Sequence, residues 1–162
     1  MTAHRHPNCP GEECQISANS NGPVDDQETL GRRIFSPEHT NNDGTIKPTA
    51  FKISDIAKRG LSLTRVHQTT YKDELNRYEH MAQRCPNQRV TYLMATAKCD
   101  TLRSVKTNEG DRWLCVFDSG TSDNPAHAQA TAPNHFSEPY LRGLRNQLID
   151  AFNSPRYISD IW

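Results

Sequence analysis

The sequence predicts an α+β domain: a small mixed or antiparallel sheet packed by two main helices, behind a flexible N-terminal arm. Three observations carry that prediction. Strand-like and helix-like segments interleave without the regular rhythm of a βαβ protein. Residues 71–84 and about 138–152 combine strong helix formers with apolar side chains at helical spacing. The runs "RVTYLMATA" and "RWLCVFD" are β-branched or aromatic and read as strands. A chain of 162 residues fits one domain with a single core.

Taken in order, residues 1–27 are rich in Pro, Asn, Gly and Ser and carry no hydrophobic period, so they read as the arm, with the domain spanning 28–162. "FSPEHTNNDGTIKP" is a long turn-rich loop around Asp43-Gly44. "TAFKIS" reads as a short strand or as the entry to a helical turn, which Ser54 could cap and Gly60 would stop. In "LSLTRV", Leu61, Leu63 and Arg65 alternate with Ser62, Thr64 and Val66, as a strand requires. The helix at 71–84 places Tyr71, Leu75, Tyr78 and Met81 or Ala82 on one side. "KCDTLRSV" suits a short helix, and "PAHAQATAP" a strand with an alanine face, ended by Pro133. Ser137 and Pro139 mark the start of the last helix, whose stripe is Leu141, Leu144, Leu148 and Phe152.

Composition excludes several classes. Nineteen basic and nineteen acidic side chains leave a net charge of zero, so no global field draws the protein to nucleic acid or an anionic membrane. Hydrophobic residues are 34%, with a mean hydropathy of −0.83, which suggests that part of the chain stands outside the core. No run is long enough to span a bilayer and no signal-peptide core opens the chain, so a cytoplasmic protein with five free thiols is expected. There is no P-loop, dinucleotide glycine fingerprint, nucleophile elbow or zincin helix, and no cofactor is expected.

"FDSGTSDNPAHA", Phe117 to Ala128, admits two chemical readings. From the left it matches an aspartic-protease loop, with Asp118 rising on an apolar strand into Ser-Gly-Thr. That chemistry needs a second carboxylate sharing one proton, and a single copy supplies it only in a retropepsin-like dimer. The chain departs from that pattern: only 44 residues follow Asp118, and they hold no glycine-rich flap or second supporting element. From the right, Asp123-Asn124-Pro125 is turn grammar leading into a strand, with His127 near its start. There His127 could act as acid, base or hydrogen-bond donor, or could simply hold the turn.

The order "RRI", "DGTIKPTAF", "LSLTR", "YLMATA" and "DNPAHA" resembles a group of small uncharacterised bacterial proteins over roughly residues 30–130. The resemblance implies Arg33, Phe51, Ser62, Arg65, Asp123, Pro125 and His127 as marked positions. It carries over no activity, and it makes the Asp-Ser-Gly match accidental.

Two other clusters need weighing. His4, His6, Cys9 and Cys14 are zinc-ligand types, but paired Cys-x2-4-Cys spacing is missing and no metal site is expected. Arginine dominates the cations, which favours bidentate contact with phosphate or carboxylate. Nucleic-acid binding is less favoured, because no aromatic interleaving or known module accompanies the arginines.

The leading expectation is a small accessory protein acting through a protein partner. Its docking residues would be Leu141, Leu144, Leu148 and Phe152, with the apolar tail ending at Trp162. The alternative is a small enzyme with a polar pocket for a phosphate-bearing or nucleotide ligand. There the catalytic candidates are His127, Asp123 and Arg65, and the ligand-binding candidates Arg33, Arg65, Ser62 and His127. The third reading is the Asp118 protease.

Overall fold

The computed structural model describes Cys9, Glu12, Asn19, residues 22–132 and residues 137–162. The fold is α+β. Six strands form one antiparallel sheet: β1 (Thr29–Pro37), β2 (Leu61–Arg65), β3 (Arg89–Lys98), β4 (Cys115–Asp118), β5 (His127–Thr131) and β6 (Arg156–Tyr157). Their order across the sheet is β4-β5-β2-β1-β3-β6. Three α-helices accompany them, α1 (Tyr71–Ala82), α2 (Cys99–Arg103) and α3 (Glu138–Ala151). Among the described residues no helix is long and apolar enough to cross a membrane.

Strand alternation divides the core in two. Leu30, Ile34, Leu61, Leu63, Ala95, Ala97, Val116, Ala128 and Ala130 enter the larger cluster with Leu102 of α2 and Leu141, Leu144 and Leu148 of α3. Phe35 and Met94 enter the smaller one with Tyr78 of α1 and Ile158 of the tail. The expected alanine face of β5 is fully buried at Ala126, Ala128 and Ala130. The segment tied to its end is a π-type turn, Asp55–Arg59, whose Ile56 carbonyl accepts from Ala132 N at 3.0 Å. Gly60 ends that turn with φ +85°, and its own amide bonds back to Asp55 O.

Several local expectations need correction. Of the two readings of "TAFKIS", the strand fails and the entry to a helical turn holds: Pro48–Ala50 is a 3-10 turn, after which Lys52 opens the π-type turn. Ser54 and Ser137 stand at helix entrances, yet neither hydroxyl makes a capping bond. Helix α1 is capped instead by Thr70, whose hydroxyl accepts from Asp73 N. Its buried stripe is Glu74, Tyr78 and Ala82, while Tyr71 is 40% exposed. A glutamate holds the place expected of an apolar residue because Arg33 and Arg77 are there to meet it.

Four of the five C-terminal docking residues are spent on the chain's own core, while Trp162 is 36% exposed. Leu141, Leu144, Leu148 and Phe152 are all buried, and the Phe152 ring lies 5.2 Å from that of Phe51. The tail folds back as well: Ile158 is buried and Trp162 Nε1 donates to Val66 O at 3.1 Å.

The expectation of five free thiols also fails. Cys9 is disulfide-bonded to Cys115, while Cys85 and Cys99 are free. Most of the expected arm lies outside the described residues, but Cys9, Glu12 and Val24 are each buried against the domain. The bridge joins positions 106 apart in sequence, so its loss releases a large loop in the unfolded chain. Reduction is expected to lower stability by about 2–4 kcal/mol and melting by on the order of 5–15 °C. Thermal unfolding with and without dithiothreitol, beside the Cys9→Ser variant, checks this. Identical curves would mean the bridge does not form.

Candidate functional site

The site begins with a break in the sheet. β1 pairs with β2 only at Leu30↔Arg65 and Gly31↔Thr64, whereas it pairs with β3 along its whole length. Beyond Gly31 the two strands diverge, and Arg32 and Arg33, pointing to opposite faces, flank the opening. Arg32 crosses the gap. Its Nε and Nη2 donate to Ala50 O at 2.9 and 2.7 Å and its Nη1 to Ser62 O at 2.9 Å, while its guanidinium lies 5.7 Å from the centre of the Phe51 ring. Burial lowers the Arg32 pKa to about 10, which still leaves it charged at neutral pH. Arg33 donates from Nε and Nη2 to the two oxygens of the fully buried Glu74, which also accepts from Arg77.

The opening widens into a cavity of about 180 Å³. Arg32, Arg33, Lys52 and Arg89 line it together with Glu38 and Asp55. Ser62, Thr49 and His39 add polar groups, and Phe35 and Met81 an apolar patch. Glu38 is held by Arg89 at 2.7 Å, and that hydrogen bond keeps its carboxyl below the usual range. Among the described residues, the side chains of Lys52 and Asp55 make no hydrogen bond.

His39 is fixed by its neighbours. Phe35 N donates to its Nδ1 at 3.1 Å, so the ring proton sits on Nε2, 3.5 Å from Glu38 Oε1. Burial pushes its pKa down to about 4, and a second proton would have to break the Phe35 bond. The ring is therefore a neutral donor at physiological pH.

The residues singled out from sequence divide. Arg33 and Ser62 line the cavity. Thr64 and His127 are register partners on β2 and β5, two positions along from Ser62 and Gln129. Arg65 lies elsewhere: it is 2% exposed, with Nε and Nη2 on Glu28, Nη1 on Gly22 O and a 3.5 Å approach to Asp118. Asp123 does not line the cavity; its carbonyl accepts from Arg77 Nη2 at 3.3 Å. Arg65, Asp123 and His127 thus do not converge.

His127 Nδ1 shares a 2.6 Å hydrogen bond with Ser119 Oγ, a serine that sequence reasoning placed only in the protease-loop match and did not pair with His127. Burial, and then the charge of Arg33, push the His127 pKa down, so its ring is neutral. A nucleophilic serine would need amide donors for a developing oxyanion. Here Ser119 N donates to His127 O, Gly120 N to Asp118 Oδ1 and Thr121 N to Asn124 O. All three amides are spent inside the loop, and the Ser119–His127 pair reads as turn architecture. The Asp118 side chain is fully buried and paired with Arg65, so no open face remains for the partner carboxylate of a dimeric protease. Of the four candidate zinc ligands, Cys9 is in the disulfide, and His4, His6 and Cys14 lie outside the described residues.

Sequence reasoning grouped Arg32 and Arg89 with the arginines but missed Glu38, His39, Lys52 and Asp55. The only signal was the density of charge around a loop that reads as turns.

Two outcomes follow from this geometry. The unfolded chain protonates His39 near pH 6.5 and the folded chain only near 4, so this contribution to stability is present at neutral pH and lost as pH falls between those values. The loss is up to about 3 kcal/mol. Denaturant midpoints from pH 7 to 4.5 measure it, and His39→Asn, which keeps an acceptor for Phe35 N, should flatten the curve. Glu38, whose pKa is lowered, keeps its contribution until pH falls further still. Separately, Glu74→Gln removes the shared counter-charge of Arg33 and Arg77 and should cost about 2–4 kcal/mol by the same assay.

Comparison with protein families, with curated proteins and with solved structures found no match for this chain.

Proposed function

We propose that the chain binds a small phosphate-bearing molecule in the cavity between the diverging strands β1 and β2. The observation that carries this is the cavity at the strand gap lined by Arg32, Arg33, Lys52 and Arg89, with the Lys52 ammonium making no hydrogen bond among the described residues. Arginine and lysine donors suit an oxyanion that accepts several hydrogen bonds at once. The His39 Nε2–H and the Ser62 hydroxyl supply neutral donors beside them. Asp55 and Glu38 suit hydroxyl or amino groups on the rest of the ligand, which favours a phosphate monoester of a small polyhydroxylated or amino compound. The volume fits one such unit, not a dinucleotide.

The accessory-protein reading is less favoured, because Leu141, Leu144, Leu148 and Phe152 are internal, although Trp162 is 36% exposed. The enzymatic reading keeps its ligand class and loses its assembled catalytic trio.

Thermal shifts at low ionic strength with glycerol phosphate, ribose 5-phosphate and adenosine monophosphate, against chloride and sulfate, test the proposal. At least one monoester should raise the melting temperature in proportion to the logarithm of its concentration. Lys52→Ala should weaken that binding about tenfold, equivalent to ~1.4 kcal/mol, and Ser119→Ala should leave it unchanged. No shift with any monoester, or the same shift in Lys52→Ala, would refute it.

A further inference from the structure

The charged groups lining the cavity differ in how far the chain has already committed them. Arg33 gives Nε and Nη2 to the buried Glu74. Arg89 gives Nε to Glu38 at 2.7 Å and Nη1 to Met81 O at 2.8 Å. Each of these arginines thus has one of the chain's own carboxylates against it. Arg32 is different: its hydrogen bonds go to the carbonyls of Ala50 and Ser62, which carry no net charge to offset its own. Lys52 and Asp55 also line the cavity, and among the described residues their side chains make no hydrogen bond and no salt bridge.

Lys52 and Asp55 stand three positions apart, a spacing at which opposite charges on a helical turn commonly meet, yet they do not pair with each other. The backbone between them is tightly held. Lys52 O accepts from Asp55 N and Ile56 N, at 3.1 and 3.2 Å, and Asp55 O accepts from Gly60 N at 2.6 Å. The resulting π-type turn is a rare form, found frequently at functional sites. Ile56, 1% exposed, pins the turn to the core while its carbonyl takes Ala132 N. One anchored turn therefore gives the cavity both an ammonium and a carboxylate that have not closed on each other.

The uncommitted charges are two positive, on Arg32 and Lys52, and one negative, on Asp55. A matching ligand carries two negative charges and one positive. A phosphate monoester is close to doubly ionised at neutral pH, and an alkylammonium group supplies the positive end. Glu38 is less suited to receive that end, because Arg89 holds it and His39 Nε2 lies 3.5 Å away. We infer, on the phosphate reading above, that the ligand is an aminoalkyl phosphate whose ammonium is received by Asp55. Asp55 is then the residue that sets the preference over phosphates lacking an amine.

Isothermal titration calorimetry of the full-length protein, at neutral pH and low ionic strength, tests this with O-phosphoethanolamine and ethyl phosphate, which differ in the ammonium. Wild-type protein should bind the amine at least tenfold more tightly. Asp55→Asn should abolish that preference without weakening ethyl phosphate, and Asp55→Glu should restore it. Equal affinity of the wild-type protein for the two esters would overturn the inference and leave the phosphate reading standing, a comparison that needs no variant. A preference that survives in Asp55→Asn would overturn it too, by moving the ammonium to another carboxylate. Glycerophosphoethanolamine, the diester of a lipid headgroup, should bind more weakly than the monoester, and equal binding would assign the site to a headgroup instead. If neither monoester binds, the phosphate reading itself falls and takes the inference with it.

Discussion

The divergence of β1 from β2 after two paired residues is the constraint on which the rest of this structure depends. A sheet that opens in its middle strands exposes backbone carbonyls that must be satisfied. Arg32 does this from one position, answering Ala50 and Ser62 with three hydrogen bonds and stacking on Phe51. The guanidinium thereby links β1, the 3-10 turn at 48–50 and β2 where the ladder cannot. It also leaves a polar space beside the gap. The cavity follows from an interrupted ladder with an arginine spanning the break.

Elsewhere, too, buried charge is used as cross-chain wiring. Glu74 joins α1 to β1 through Arg33, Arg65 joins β2 to Glu28 and to Asp118 of β4, and Glu12 joins the N-terminal segment to Arg103 and Arg112. Each of these carboxylates meets at least one guanidinium, which is the condition for tolerating charge out of water. This pattern accounts for a low mean hydropathy in a chain with an ordered core. Polar composition is a poor guide here to what lies outside, because so many ionic groups lie inside in pairs. Sub-ångström fit matters for such pairs more than for apolar contacts, so the Glu74 and Glu12 networks are sensitive to single substitutions.

The architecture was readable where periodicity speaks plainly. The alanine face of β5 and the stripe of α3 stand where hydrophobic spacing places them, whereas β4 covers only 115–118 of the expected 112–118 strand and α1 turns a different face inward. Glu74 was invisible because its partner Arg33 lies 41 positions away, and no local pattern marks a glutamate as internal. Cys9 and Cys115 have no framework spacing, so their bond follows from tertiary proximity alone. Arg33 and Ser62 were legible as marked positions, and both reach the cavity. His39 and Glu38 were not, since their roles come from the fold of a loop whose residues suggest only turns. Arg65 and His127 stood out equally in sequence, yet one secures the core and the other a turn.

The central claim is that the cavity at the strand divergence, and no other part of the sheet, receives the ligand. A 1H–15N NMR titration of the oxidised full-length protein with a small phosphate monoester tests this residue by residue. The account predicts saturable shifts concentrated at Arg32, Arg33, His39, Lys52, Asp55 and Ser62, with Ser119 and His127 unmoved. Shifts centred on Ser119 and His127, or no saturable shift at any residue, would contradict it.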